Sequence, residues 1–157
     1  MKTLLTIFAV LLTILICNAS CSKNEATSPV QHHNNGSNNP SATKMKIKIG
    51  TAVFTATLYD HASANEFKAR LPLTIQMTEL NGNEKYYDFS SSLPKNASVG
   101  GAIKSGDIML YGSNVLVLFY KNFTTTYSYT KLAHIDNPAG LADALGAGNV
   151  TVKIETN

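Results

Sequence analysis

From Met45 to the C-terminus the chain is written in short period-two runs, and that pattern restricts its fold more than any other feature. Met45, Ile47 and Ile49 alternate with lysines, Gly50-Thr51 turns, and Phe54, Ala56 and Leu58 alternate with threonines. Two strands joined by a tight turn follow from this, because a strand sends successive side chains to opposite faces. Leu73, Ile75 and Met77 alternate again, Asn81-Gly82 is a hairpin turn signal, and Tyr86 to Phe89 makes the return strand. Ile108 to Tyr111 and Val115 to Tyr120 form a further hairpin around Gly112-Ser113-Asn114, its second strand apolar on both faces and therefore central. Tyr127 to Ile135 and Val150 to Ile154 complete eight strands.

Helical spacing breaks in twice. Between Asp60 and Leu71 the residues Ala64, Phe67 and Leu71 share one stripe, Asp60 or Ser63 is placed to cap, and Pro72 stops the helix. Asn137-Pro138 opens a second short helix that runs through Leu145 and ends at Gly146 and Gly148. Ser90 to Ser105, rich in Ser, Pro and Gly, reads as a long connection. Eight short strands with two short helices, and no βαβ alternation, predict a mostly β chain closed as a barrel or packed as a sandwich.

The first 43 residues are of another kind. Lys2 precedes an apolar or threonine run from Leu4 to Ile16, the length of a signal-peptide core and short of the ~20 residues that a spanning helix needs. Ala19-Ser20-Cys21 at its end resembles a lipobox, in which the cysteine is acylated and becomes the new N-terminus. Asn18 stands where such boxes usually carry a leucine, so cleavage after Ala19 and free secretion is the alternative. Ser22 to Thr43 is mostly Asn, Ser, Thr, Pro and Gly, with almost no apolar content, and cannot bury enough surface to fold. As a flexible coil it spans roughly 25 Å r.m.s.. The expected organisation is a signal peptide over 1–20, a lipidated cysteine and polar tether over 21–43, and one domain over 44–157. The expected place is the cell envelope, held to a membrane by lipid on Cys21.

Composition excludes several classes of function. Both cysteines, Cys17 and Cys21, lie in the leader, which leaves the domain without a disulfide, a thiolate nucleophile or a cysteine zinc site. Over residues 44–157 eleven Lys and Arg stand against nine Asp and Glu, scattered singly, so no nucleic-acid surface is expected. His32-His33 reads as a solvated pair in the tether, and no metal or other cofactor is expected. Asp60-His61 and His134-Ile135-Asp136 place carboxylates beside imidazoles at element boundaries, where Asp caps or turns. No serine sits in a Gly-x-Ser-x-Gly elbow.

Four segments carry a resemblance: Lys85-Tyr86-Tyr87-Asp88-Phe89, Gly106-Asp107-Ile108-Met109-Leu110-Tyr111-Gly112, Leu116-Val117-Leu118-Phe119-Tyr120 and Ile135-Asp136-Asn137-Pro138-Ala139-Gly140-Leu141. Together they make residues 45–156 similar to the bacterial cyclophilin-like domain family. That resemblance implies a closed eight-stranded barrel flanked by two helices, and no agreed activity. True cyclophilins rotate X–Pro bonds with an arginine beside an apolar proline pocket, on a strand that carries a Phe-His-Arg run. The matching strand here reads Tyr87-Asp88-Phe89, and the domain's one arginine, Arg70, falls near the end of the first helix, as a solvated or dipole partner. The expectation is a binding or interaction module without catalytic residues. Its alternative is a weak prolyl isomerase or an enzyme of unrecognised type. The resemblance and the concentration of tyrosines point to a ligand groove around Tyr87, Phe89, Tyr111 and Tyr129, for a peptide or small molecule. Nothing in the sequence specifies an oligomeric state.

Overall fold

The structure, a computed structural model, describes residues 40–157. The leader, Cys21, His32-His33 and the tether up to residue 39 lie outside the described residues. In chain order the elements are β1 (Pro40–Ile49), β2 (Ala52–Tyr59), α1 (Ala62–Ala69), β3 (Leu73–Leu80), β4 (Glu84–Asp88), β5 (Ser98–Ile103), β6 (Asp107–Tyr111), β7 (Val115–Phe119), β8 (Phe123–Ile135), α2 (Leu141–Leu145) and β9 (Val150–Thr156). β1 starts at Pro40, but its register on β2 is irregular between Pro40 and Lys44, so unbroken pairing begins at Lys44.

Eight antiparallel strands follow one another around the sheet as β2-β1-β9-β3-β4-β7-β6-β8, and β8 returns to β2 through Ala56↔Ile135, Thr57↔His134 and Leu58↔Ala133. Closure removes the exposed edges that an open sheet would carry. The inward faces are those the alternation predicts: Met45, Ile47 and Ile49, then Phe54, Ala56 and Leu58, then Ile75 and Met77, then Val152 and Ile154, all buried in one cluster. Ala64 and Phe67 of α1 and Leu141 and Leu145 of α2 join the same core. At the β3–β4 turn Asn81 (φ 57°) and Gly82 (φ 68°) both take the positive φ that a tight hairpin turn uses.

Three local expectations are corrected. β5, in the stretch read as a connection, is a ninth strand that pairs with the N-terminal half of β8, from Ser98↔Tyr129 to Ile103↔Phe123. Its glycines hid it, and they are there for packing. A Cβ on Gly100 would lie 2.8 Å from the Thr125 side chain, and Gly101 (φ 59°) sits at the bulge in this pairing. The cap of α1 is His61, not Asp60 or Ser63. Its Nδ1 accepts the Ala64 N–H at 3.3 Å, while Nε2 donates to the Lys131 carbonyl at 2.7 Å. One ring thus satisfies a helix end and a strand carbonyl together. α2 begins at Leu141 rather than at Pro138, because Asn137 accepts the Ala139 N–H at 3.1 Å and Gly140 (φ 79°) turns the chain into the helix.

Candidate functional site

The strand parity of β4 sets up the site. Lys85 and Tyr87, with Phe89 just beyond the strand, point into the barrel, whereas Glu84, Tyr86 and Asp88 point outward. Cross-strand pairing lays Tyr86 beside Val117 and Asp88 beside Val115 of β7, and Tyr111 of β6 lies between Val115 and Tyr129 of β8. The outer face of β4, β7, β6 and β8 therefore carries a second apolar layer. Ile103, Met109, Val117, Phe119 and Tyr129 are buried in it, with Tyr86, Val115 and Phe123 packed alongside.

Above this layer is a groove of about 370 Å³, lined by Leu80, Asn81, Glu84, Tyr86, Asp88, Tyr111, Val115, Val117, Tyr127 and Tyr129. Its volume suits a small molecule or a peptide side chain. Tyr129 forms the floor, edge-on to Phe119 at 5.4 Å, and Tyr111 stands 5.6 Å from Tyr129 and 6.2 Å from Tyr127. Leu80, Tyr111 and Tyr127 are three of the five exposed large hydrophobic side chains among the described residues, so the exposed apolar surface is concentrated here rather than scattered.

Two of the four residues expected at a groove are therefore in it, Tyr111 and Tyr129. The other two, Tyr87 and Phe89, stand on the opposite face of the sheet, stacked edge-on at 5.3 Å against the barrel core, with Phe89 against Phe67. Sequence reasoning missed Glu84, Tyr86 and Asp88. The parity of Tyr86 against Tyr87 was the signal, but both parities of that strand carry an aromatic residue.

The electrostatics of the groove are one-sided. Glu84 and Asp88 line it, and no Lys, Arg or His does so among the described residues. Glu84 is only 8% exposed. Burial, and to a lesser degree the neighbouring Glu79 carboxylate, pushes its carboxyl above the ordinary value. Burial, followed by Glu84, Tyr111 and Tyr127, pushes the Tyr129 hydroxyl up to about 12. A second, shallower cavity of about 630 Å³ includes Glu79, Tyr120 and Gly146. Its most buried polar groups are already engaged with each other: both Glu79 oxygens accept the Tyr120 hydroxyl at 2.9 Å, and Lys85 bonds Glu79. The groove is therefore the better candidate.

The carboxylate–imidazole pairs suggested by the sequence do not form. His61 caps α1, Asp136 accepts from Thr57 and Lys44, and His134 instead contacts Asp107 at 3.0 Å across strands. No cluster of three or more metal-ligating side chains occurs among the described residues. Arg70 is not a solvated group. It donates to the Ser91 carbonyl at 3.0 Å and the Ser92 carbonyl at 2.8 Å, with its guanidinium 4.9 Å from the centre of the Phe89 ring. It pins the chain leaving β4 and contributes nothing to the groove lining.

With barrel and groove in view, comparison with known proteins identifies the family, since residues 47–155 match the family model of the cyclophilin-like family. The chain belongs to the cyclophilin-like family. Among solved structures, this cyclophilin-like chain is similar to the solution structure of the hypothetical protein AF2241 from Archaeoglobus fulgidus. The TM-score is 0.54 at 16% identity, over 73% of this chain and 95% of that one. At that identity the likeness is one of fold. No curated protein matches.

Proposed function

We propose that this cyclophilin-like barrel is a membrane-tethered binding module of the cell envelope, that its ligand seats in the outer aromatic groove, and that it has no isomerase activity. The observation that carries this reading is the groove itself: exposed aromatic side chains over a buried apolar floor, with a buried carboxylate opening into it. Tyrosine suits recognition because it offers a large apolar body and a polar tip at low entropic cost. Against isomerase chemistry stands the lining, which holds no arginine to donate to a twisting imide. Loss of one such electrostatic donor lowers rates by roughly 10²–10³.

A titration of full-length protein with a proline-containing tetrapeptide and a small-fragment set tests both halves. Binding should perturb the backbone amides of β4, β6, β7 and the N-terminal half of β8, while the cis–trans exchange rate of the peptide stays at its uncatalysed value. Perturbations confined to other faces of the barrel refute the groove, and clear acceleration refutes the non-catalytic reading.

Tethering rests on the apolar leader, the small residues before Cys21 and the polar segment after it. Multiple acyl chains hold a protein far more firmly than one. On cell fractionation the wild type should sediment with membranes and incorporate labelled palmitate. Cys21→Ala should lose the label entirely and leave the lipid-anchored fraction. Equal labelling of the two would exclude a lipid on Cys21.

A further inference from the structure

We infer that the groove takes an organic cation, an alkylammonium or guanidinium group, with Glu84 as its charge partner and Tyr86, Tyr111, Tyr127 and Tyr129 as its aromatic walls. This deepens the proposed binding function and rests on it. Buried charges in proteins are paired, because desolvating an unpaired carboxylate is costly. The other two buried charged side chains of the described residues obey that rule: Lys85 bonds Glu79 and two carbonyls, and Asp107 accepts from Lys104 and contacts His134. Glu84 makes no hydrogen bond and no ion pair with any described residue, and it opens into the groove. Glu84 thus brings to the groove a largely buried carboxylate with no donor or cation beside it among the described residues, in a cavity lined by four tyrosines.

A cation satisfies both features at once. The carboxylate takes its charge, and the negative faces of the tyrosine rings attract it further when water is displaced. Asp88, exposed near the mouth, adds a second negative charge in a chain whose formal net charge is +3, so the groove runs against the overall balance. An anion would meet two carboxylates and no basic group. A neutral apolar ligand would cover Glu84 and leave it unpaired. A hard metal ion wants six or more oxygen ligands, and the groove offers two carboxylates among aromatic rings.

The test uses matched probes on full-length protein, read by amide chemical shifts. Choline is compared with 3,3-dimethylbutan-1-ol, which has the same shape without the charge, and N-acetyl-lysine methylamide with its norleucine counterpart. Each cation that binds should do so roughly tenfold or more tighter than its neutral isostere. The arm that responds tells whether the cation is free or borne on a peptide. Glu84→Gln should erase that preference while leaving the thermal midpoint unchanged or raised, since it removes a buried charge and keeps the shape. Tyr127→Ala, at an exposed wall position, should weaken binding several-fold in a folded protein. If each isostere binds as well as its cation, the occupant is not a cation and the groove still stands as a binding site. If no probe or fragment perturbs the groove at millimolar concentration, both readings fail.

Discussion

Lys85→Ala should lower the unfolding free energy by about 3–5 kcal/mol, the usual cost of breaking a buried ion pair from one side. Lys85 has no exposed surface, a rare state for a lysine. Its ammonium bonds the Glu79 carboxylate and the carbonyls of Gly146 and Gly148, each carbonyl at 2.7 Å, so one side chain joins the β3–β4 hairpin to the loop between α2 and β9. It also lies 5.4 Å from the centre of the Tyr120 ring. Removal leaves the Glu79 carboxylate without its cation and takes the ammonium donor from two carbonyls, and denaturant midpoints measure the loss. Lys85→Met, which keeps most of the apolar stem, should cost less than Lys85→Ala, and a midpoint within about 0.5 kcal/mol of wild type for both would show the network to be dispensable.

The same network has a pH signature. Partial burial pushes the Glu79 carboxyl up, but hydrogen bonds from Lys85, the Tyr120 hydroxyl and the Gly82 amide outweigh it and hold the carboxyl below its ordinary value. A depressed folded-state value stabilises the fold above the unfolded value, and that contribution is lost as pH falls through the folded one. The wild type should therefore lose this stability in the acid range below the usual glutamate value, and Lys85→Met should have a flatter acid limb.

Truncation of the aromatic residues should split them by the face they occupy. Phe89→Ala should cost about 3–5 kcal/mol, because Phe89 is 7% exposed and packs between Tyr87, Phe67 and the Arg70 guanidinium. Tyr129→Ala should fall near the lower end of that range, since the groove floor is also the centre of the outer apolar layer. Tyr111→Ala and Tyr127→Ala, at 45% and 64% exposed, should each cost under about 1.5 kcal/mol. Equilibrium unfolding of the four variants measures the split. Equal losses across all four would mean that the outer wall is structural, with no groove kept open for a ligand. The practical consequence is that binding is best dissected at Tyr111, Tyr127 and Glu84, where the fold tolerates change.

The alternation of apolar and polar residues determined the strands, their hairpins and the core of the first, second, third and last of them, because burial on one face permits only one parity. It determined likewise a mostly β chain with two short helices, closed as a barrel or packed as a sandwich, and the resemblance of the four family segments pointed to the barrel. What the sequence left undetermined lies where one strand has two usable faces or none. In β4 both parities carry an aromatic side chain, and only the pairing of β4 with β7 decides that Tyr87 goes inside and Tyr86 outside. In β5 the glycines that let it lie against β8 are also what a loop would contain. Lys85 inside and Glu84 in the groove both contradict residue-type preference, and each position follows from strand register rather than from the residue itself. Local pattern specifies a strand through its own side chains, but the groove draws its lining from three separate stretches, residues 80–88, 111–117 and 127–129, so it exists only once the barrel has brought them together.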